Sequence, residues 1–313
     1  MAGGELARIM LHIKSERFAI EYNKFCTVFN IFCILPFFPI MLFTKGCALM
    51  DYILLYLLLG CFSGFVAGLF GIGGGMVIVP VLVFSFKAQG LSTSILTHLA
   101  IGTSLATIIV TSISAVWAHH QRGAVLWPVV KKLAIGLLIG SVIGAQIAYA
   151  IPARELEIII GCFALLTAAQ MFTGWKGKLG DIPLPNTAGL ASAGGGIGIA
   201  SAIFGIGGGT FTVPYLTLHG VKMTNAVASA SACGLPIAFA GAVGFIYAGW
   251  HESLLPKGSM GFIYLPAFIG ISATSLVFAR LGAKLAHRLP ADTLKKCFAC
   301  LLVLVGITFI VGH

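Results

Sequence analysis

Two short glycine clusters are the residues in this chain best suited to chemistry. Residues 70–80 read FGIGGGMVIVP, and residues 204–214 read FGIGGGTFTVP. Phe70, Gly71, Ile72, Gly73, Gly74, Gly75, Val79 and Pro80 recur as Phe204, Gly205, Ile206, Gly207, Gly208, Gly209, Val213 and Pro214. Each interior glycine costs a helix about 1 kcal/mol relative to alanine, so GIGGG predicts a helix break. A break frees the N–H groups that open the following helix. Those donors, with the positive end of the helix dipole, suit an anion. This reading assigns substrate contacts to Gly71, Gly73, Gly74 and Gly75, and to Gly205, Gly207, Gly208 and Gly209. Close packing alone is the alternative role for the glycines. A dinucleotide fingerprint does not fit, because GIGGGM and GIGGGT lack its sixth small residue and no βαβ unit surrounds them.

Hydroxyls follow each cluster. Thr103, Thr107 and Thr111 recur every four residues and share one helix face. Thr103 aligns with Ser229, and Ser104 and Ser231 lie beside them in AIGTSLA (residues 100–106) and AVASASA (residues 226–232). Thr103, Ser104, Ser229 and Ser231 therefore join the predicted site. Helix–helix bonding in lipid is an equally open role for any one of them. Pro80 and Pro214 are predicted pivots, or simply helix ends.

Acids are missing from the same stretches. Asp51, Glu155, Glu157, Asp181, Glu252 and Asp292 fall at segment ends or in loops, and Glu5, Glu16 and Glu21 lie in the N-terminal tail. A cation site or carboxylate proton relay inside a membrane normally needs such a group; an anion path does not. No metal site and no cofactor are expected. His98, at the mouth of its helix, is a proton carrier or an interfacial histidine. His119 and His120 beside Arg122 read as a solvated inner loop, or as a place that binds or releases an anion.

The elements that position these residues are membrane segments. The 313 residues are 58% hydrophobic and 9% charged, with a mean hydropathy of +1.03. Soluble domains carry about 25% charged residues. Repeated apolar runs of membrane-crossing length predict an all-α, polytopic membrane protein. The net charge of +10 reflects Lys and Arg in loops, so nucleic acid is not an expected partner. Of eight cysteines, Cys26, Cys33, Cys61, Cys162 and Cys233 lie in apolar runs. Cys297 and Cys300 form a C-x-x-C in a terminal apolar run, without a thioredoxin-like context.

The glycine clusters belong to a longer duplication. Gly60 and Gly64 align with Gly194 and Gly198, Trp127-Pro128 with Leu265-Pro266, and IGAQIAYAIPA (residues 143–153) with LGAKLAHRLPA (residues 281–291). The expected division is a tail with an extra membrane helix (Cys26–Thr44) in residues 1–50, a first transport repeat in 51–174, a linker in 175–186, and a second transport repeat in 187–313. The run after each glycine cluster is too short to span. Two arrangements stay open. In the first, each broken pair is a re-entrant hairpin and the four-segment halves are inverted. With a cytoplasmic N-terminus this leaves fifteen Lys and Arg inside and four outside. In the second, the broken segments cross fully and the halves are parallel, with a split of twelve to seven. The positive-inside rule favours the hairpins. The breaks would then meet near the midplane, where transporter sites lie.

The paired FGIGGG-x-x-x-VP-x-L stretches and the AIGTSLA-like helices resemble the sulfite exporter TauE/SafE family of bacterial membrane permeases. The resemblance covers about residues 51–312. It implies a multi-pass protein of the bacterial inner (cytoplasmic) membrane, built from a duplicated four-segment unit. It also implies export of sulfur-containing anions such as sulfite or organosulfonates, and it places both sets of motif glycines at the centre. The segment Cys26–Thr44 departs from the family pattern. The expected function is therefore secondary transport of a small anion by alternating access, not enzyme catalysis. Its expected partners are the anionic substrate, the lipid bilayer and a coupling ion such as a proton. A membrane thiol oxidoreductase using Cys297 and Cys300, an anion channel, and a non-transporting scaffold are the alternatives.

Overall fold

The structure, a computed structural model, describes residues 50–70, 75–173, 183–286 and 291–311. The segment Cys26–Thr44, residues 71–74 and most of the linker lie outside them. The described residues form α1 (Met50–Phe70), α2 (Gly75–Ala88), α3 (Thr93–Gln121), α4 (Trp127–Ala150), α5 (Ala153–Thr173), α6 (Thr187–Phe204), α7 (Gly209–Leu218), α8 (Met223–Ala248), α9 (Leu265–Ala286) and α10 (Ala291–Val311). A small antiparallel ribbon, β1 (Ser259–Met260) and β2 (Ile263–Tyr264), closes the α8–α9 connection. The chain is thus an all-α, polytopic membrane protein. Helices α3, α4, α5, α6 and α8 are long and apolar enough to cross a bilayer. Apolar side chains such as Ile135, Ile139, Leu166, Phe239 and Ile269 face outward, as lipid contact requires.

Local chemistry sets the helix ends. Asn186 caps α6, its Oδ1 accepting the Gly189 N–H at 2.9 Å. Pro128 sits in the first turn of α4, where its missing N–H costs nothing. Helices α2 and α7 hold 14 and 10 residues. At 1.5 Å per residue they reach about 21 and 15 Å, short of the roughly 30 Å apolar core. The first broken pair folds back on itself. Gln89, just past α2, donates from Nε2 to the Tyr56 hydroxyl near the start of α1 at 2.6 Å. Helix α2 therefore returns to the side from which α1 sets out.

The aligned glycines do equivalent work. Gly60 and Gly64 on α1 abut Ile271 and Ser275 on α9, while Gly194 and Gly198 on α6 abut Leu133 and Leu137 on α4. A 138-residue offset relates Leu133 to Ile271 and Leu137 to Ser275. Each half thus lends its first helix to the fourth membrane helix of the other half. Between α4 and α6 the fit is backbone to backbone, with Gly136, Gly140 and Gly144 against Ala191, Gly195 and Ile199. Helices α3 and α8 run antiparallel, with Leu105 facing Gly241 and Ser112 facing Gly234. Helices α5 and α10 also run antiparallel, crossing where Gly161 meets Gly306. A leucine at Gly140 has nowhere to go but into the Gly195 backbone. Gly140→Leu should lower stability by about 3 kcal/mol or more, read as a lost monodisperse peak after extraction in detergent.

Candidate functional site

The site is built where α6 stops and α7 starts. Gly205 ends α6 with φ +64°, a left-handed conformation that favours glycine, and its N–H bonds back to Ala202 O at 3.2 Å. Ile206 donates to Ser201 O at 2.9 Å. Gly208 then caps α7, and its carbonyl accepts the Thr212 N–H at 2.9 Å. Gly205, Ile206, Gly207 and Gly208 are all buried. Among the described residues, no group accepts from the N–H of Gly207, Gly208 or Gly209. A buried helix start with unmatched donors is an incomplete arrangement.

Two broken segments meet here. A Cβ on Gly75, the first residue of α2, would lie 2.5 Å from Gly205 O and 2.9 Å from Ile206 Cα. The glycine at the start of one short helix therefore touches the end of the other break. Helices α3 and α8 enclose the junction. Ser104 on α3 donates to Gly205 O at 3.0 Å and is fully buried. Gly208 presses on the α8 backbone, where a Cβ would fall 2.6 Å from Ala230 O and 2.9 Å from Gly234 N. Gly234 is bare at this point, with Ser112 Oγ and Gly208 N facing its α-carbon. On another side Phe163 of α5 stacks on Phe204 at 4.2 Å and leans on Phe211 at 5.3 Å. No Lys, Arg, Asp or Glu lies within α3, α6, α7 or α8.

The other residues of the sequence reading take different places. Thr103 donates to Leu99 O at 2.6 Å and accepts the Tyr264 N–H at 3.0 Å. Its aligned counterpart Ser229 accepts the Leu126 N–H at 3.0 Å. Tyr264 and Leu126 each immediately precede a helix, α9 and α4. The two hydroxyls thus cap equivalent helices of opposite halves. Ser231 donates to Val227 O at 3.0 Å on its own helix. Pro80 and Pro214 lie inside α2 and α7, not at their ends. Gly71, Gly73 and Gly74 fall outside the described residues, as does the Cys297 side chain; Cys300 is half-buried.

His98 is buried, with Nε2 3.0 Å from Ala148 O and 3.1 Å from Ile151 O. As an N–H donor, that nitrogen satisfies carbonyls at the end of α4. Glu157, read in the sequence as a segment-end acid, is buried too. Its carboxylate meets Lys87 Nζ at 3.3 Å and Arg154 Nη1 at 3.4 Å, and accepts from Thr97 Oγ1 at 3.3 Å. Arg154 reaches on to Phe309 O at 3.0 Å and Ile310 O at 2.8 Å.

Sequence reasoning missed Thr210 and Thr212. Their hydroxyl oxygens, and that of Ser201, are buried without a hydrogen-bond partner among the described residues. The equivalent residues of the first cluster are Met76 and Ile78. A search for positions shared by both halves passes over them.

The sulfite exporter TauE/SafE profile matches residues 56–309, nearly all of the described chain. The chain belongs to the sulfite exporter TauE/SafE family. A probable membrane transporter protein of Haemophilus influenzae is 40% identical over 258 residues, covering 82% of this chain and 97% of the relative. A probable membrane transporter protein of Methanocaldococcus jannaschii is 24% identical, over 81% of this chain and 93% of the relative. A third, YdhB of Bacillus subtilis, is 24% identical over 78% of this chain and 92% of that protein. No solved structure matches the chain. Membership in the family and these relatives identify this TauE/SafE chain as a multi-pass membrane transporter.

Proposed function

We propose that this protein is a secondary carrier of small oxyanions, sulfite or organosulfonates, across the bacterial cytoplasmic membrane. The observation that carries the reading is the start of α7. Gly207 and Gly208 are buried and Gly209 is half-buried, and none of the three N–H groups has an acceptor among the described residues. An oxyanion held by these donors satisfies them and meets the positive end of the helix dipole. Gly75 and Gly205 meet at the same junction, where Ser104 fixes the Gly205 carbonyl away from the ligand; Gly71, Gly73 and Gly74 are proposed as further ligand contacts. Thr103, Ser229 and Ser231 are proposed to hold the surrounding frame.

Charge sets the valence. Each helix start offers about +0.5 of an elementary charge. The starts of α2 and α7 together balance about one negative charge, and none of the four enclosing helices carries a cationic Lys or Arg. The reading is therefore a monovalent oxyanion, hydrogensulfite or an organosulfonate, with dianions bound more weakly. Antiparallel α3 and α8, antiparallel α5 and α10, and the reciprocal α1–α9 and α4–α6 packing support inverted halves. Inverted halves support alternating access, with the short helices shifting around the site. A cytoplasmic N-terminus agrees with the distribution of Lys and Arg.

Counterflow tests the function. Proteoliposomes preloaded with unlabelled sulfite, methanesulfonate, sulfate or acetate are given labelled sulfite outside. The expected result is transient accumulation with sulfite and methanesulfonate inside, and about tenfold less with sulfate. Flux that merely equilibrates, whatever the preload, would replace the carrier with a channel. No uptake by correctly inserted protein would remove this ligand class.

A further inference from the structure

The two glycine breaks share a sequence motif but differ in what surrounds them. After the second break, Thr210 and Thr212 follow the glycines; after the first, Met76 and Ile78 occupy those positions. Thr212 is the more confined of the two threonines. It is fully buried, and its Oγ1 has no hydrogen-bond partner among the described residues. Leaving a hydroxyl unmatched in a buried site is costly. A threonine in a helix can relieve that cost by bonding to the carbonyl one turn back. Thr103 and Thr107 on α3 do so, at 2.6 and 2.9 Å. Thr212 does not.

Helix geometry gives the direction of that hydroxyl. Thr212 lies one turn beyond Gly208 on the same face of α7, and Leu216 one turn further. Thr212 and Leu216 are fully buried, and Gly208 of this face abuts Ala230, Cys233 and Gly234 of α8. Side chains on a helix lean back toward its N-terminus, over the preceding turn. That lean carries the Thr212 side chain over the Gly208 step, beside the N–H groups of α7 that have no acceptor among the described residues. Ile78, at the equivalent place on α2, is buried and apolar.

We propose that the oxyanion is held off-centre, on the second break, with the Thr212 hydroxyl as a direct ligand contact, since Met76 and Ile78 offer no hydroxyl at the equivalent places on α2. The proposal deepens the reading of the site as an oxyanion site and rests on it. The hydroxyl donates to an oxygen of the ligand beside the Gly207, Gly208 and Gly209 N–H groups. No other described residue bonds to it.

The test uses the full chain in detergent and thermal protection by sulfite and by methanesulfonate. Thr212→Val keeps the shape and removes the hydroxyl; Thr212→Ser keeps the hydroxyl. In the absence of anion, Thr212→Val should melt about 2 °C higher than the native protein, because an unmatched buried group is gone. Its half-protecting anion concentration should rise about tenfold, as one hydrogen bond to a charged ligand is lost. Thr212→Ser should bind close to the native protein. Unchanged protection in Thr212→Val overturns the proposal. So does a lower melting temperature without anion that Thr212→Ser restores, since the hydroxyl would then serve the fold. Both of those results leave the oxyanion site itself standing. If neither anion protects the native protein, the oxyanion reading falls and this proposal with it.

Discussion

Gly207→Val should reduce anion flux by about 100-fold in a protein that still folds and inserts. Among the described residues, a Cβ at Gly207 meets only the Cγ2 methyl of Ile108, at 3.3 Å. That side chain can give way, so the fold should survive. The added methyl groups instead occupy the space beside the N–H donors that open α7. Excluding the ligand from two such donors removes about 3 kcal/mol, which is about 100-fold in affinity. Gly208→Val is the contrasting variant. Its Cβ is directed at the α8 backbone, 2.6 Å from Ala230 O and 2.9 Å from Gly234 N. Backbone cannot give way as a side chain does, so Gly208→Val should fail as a fold. The measurement is counterflow per inserted molecule, with size-exclusion profiles for both variants. Native flux in a well-folded Gly207→Val protein would remove the second break from the transport path.

The second large effect concerns stability. Lys87→Met should leave the Glu157 carboxylate, only 6% exposed, with Arg154 as its remaining cation. Breaking a buried ion pair typically costs about 3–5 kcal/mol. Here the cost should be about 2 kcal/mol, because Lys87 is 32% exposed and Arg154 stays in place. At about 2.1 cal/mol/K per residue, that is a fall of roughly 3 °C in melting temperature for 313 residues. Lys87→Met combined with Glu157→Leu should recover most of it, since no carboxylate is then left buried. An additive double variant would show that the pair contributes nothing of its own.

The breaks themselves were legible in the sequence. FGIGGG occurring twice, with Val-Pro after each copy, could be read as two interrupted helices before any coordinates. So could the apolar character and the absence of acids from the central helices. What Gly60, Gly64, Gly194 and Gly198 do was not legible, because their contacts run between halves far apart in sequence. The same holds for Thr103 and Ser229. Their alignment singled them out correctly as a matched pair. That the pair accepts the N–H groups of Tyr264 and Leu126 depends on how the halves interlock. Glu157 read only as a segment-end acid with Arg154 one turn before it, since its position at the start of α5 says nothing of Lys87 arriving from α2. Thr210 and Thr212 were passed over for the opposite reason. They are features of one half only, and duplication hides what is not duplicated.

The exchange of first helices between halves bears on how the protein is made. Gly60 and Gly64 present a bare strip on α1 whose partner, α9, begins only at Leu265. Until then that strip has no α9 to close it. The start of α4 waits in the same way for Ser229, which emerges only after the linker. The starts of α4 and α9 and the glycine strips of α1 and α6 are each completed by the other half, so assembly waits until the second half has been made. A chain cut in the linker should therefore yield two fragments that are each degraded when expressed alone and rescued when expressed together.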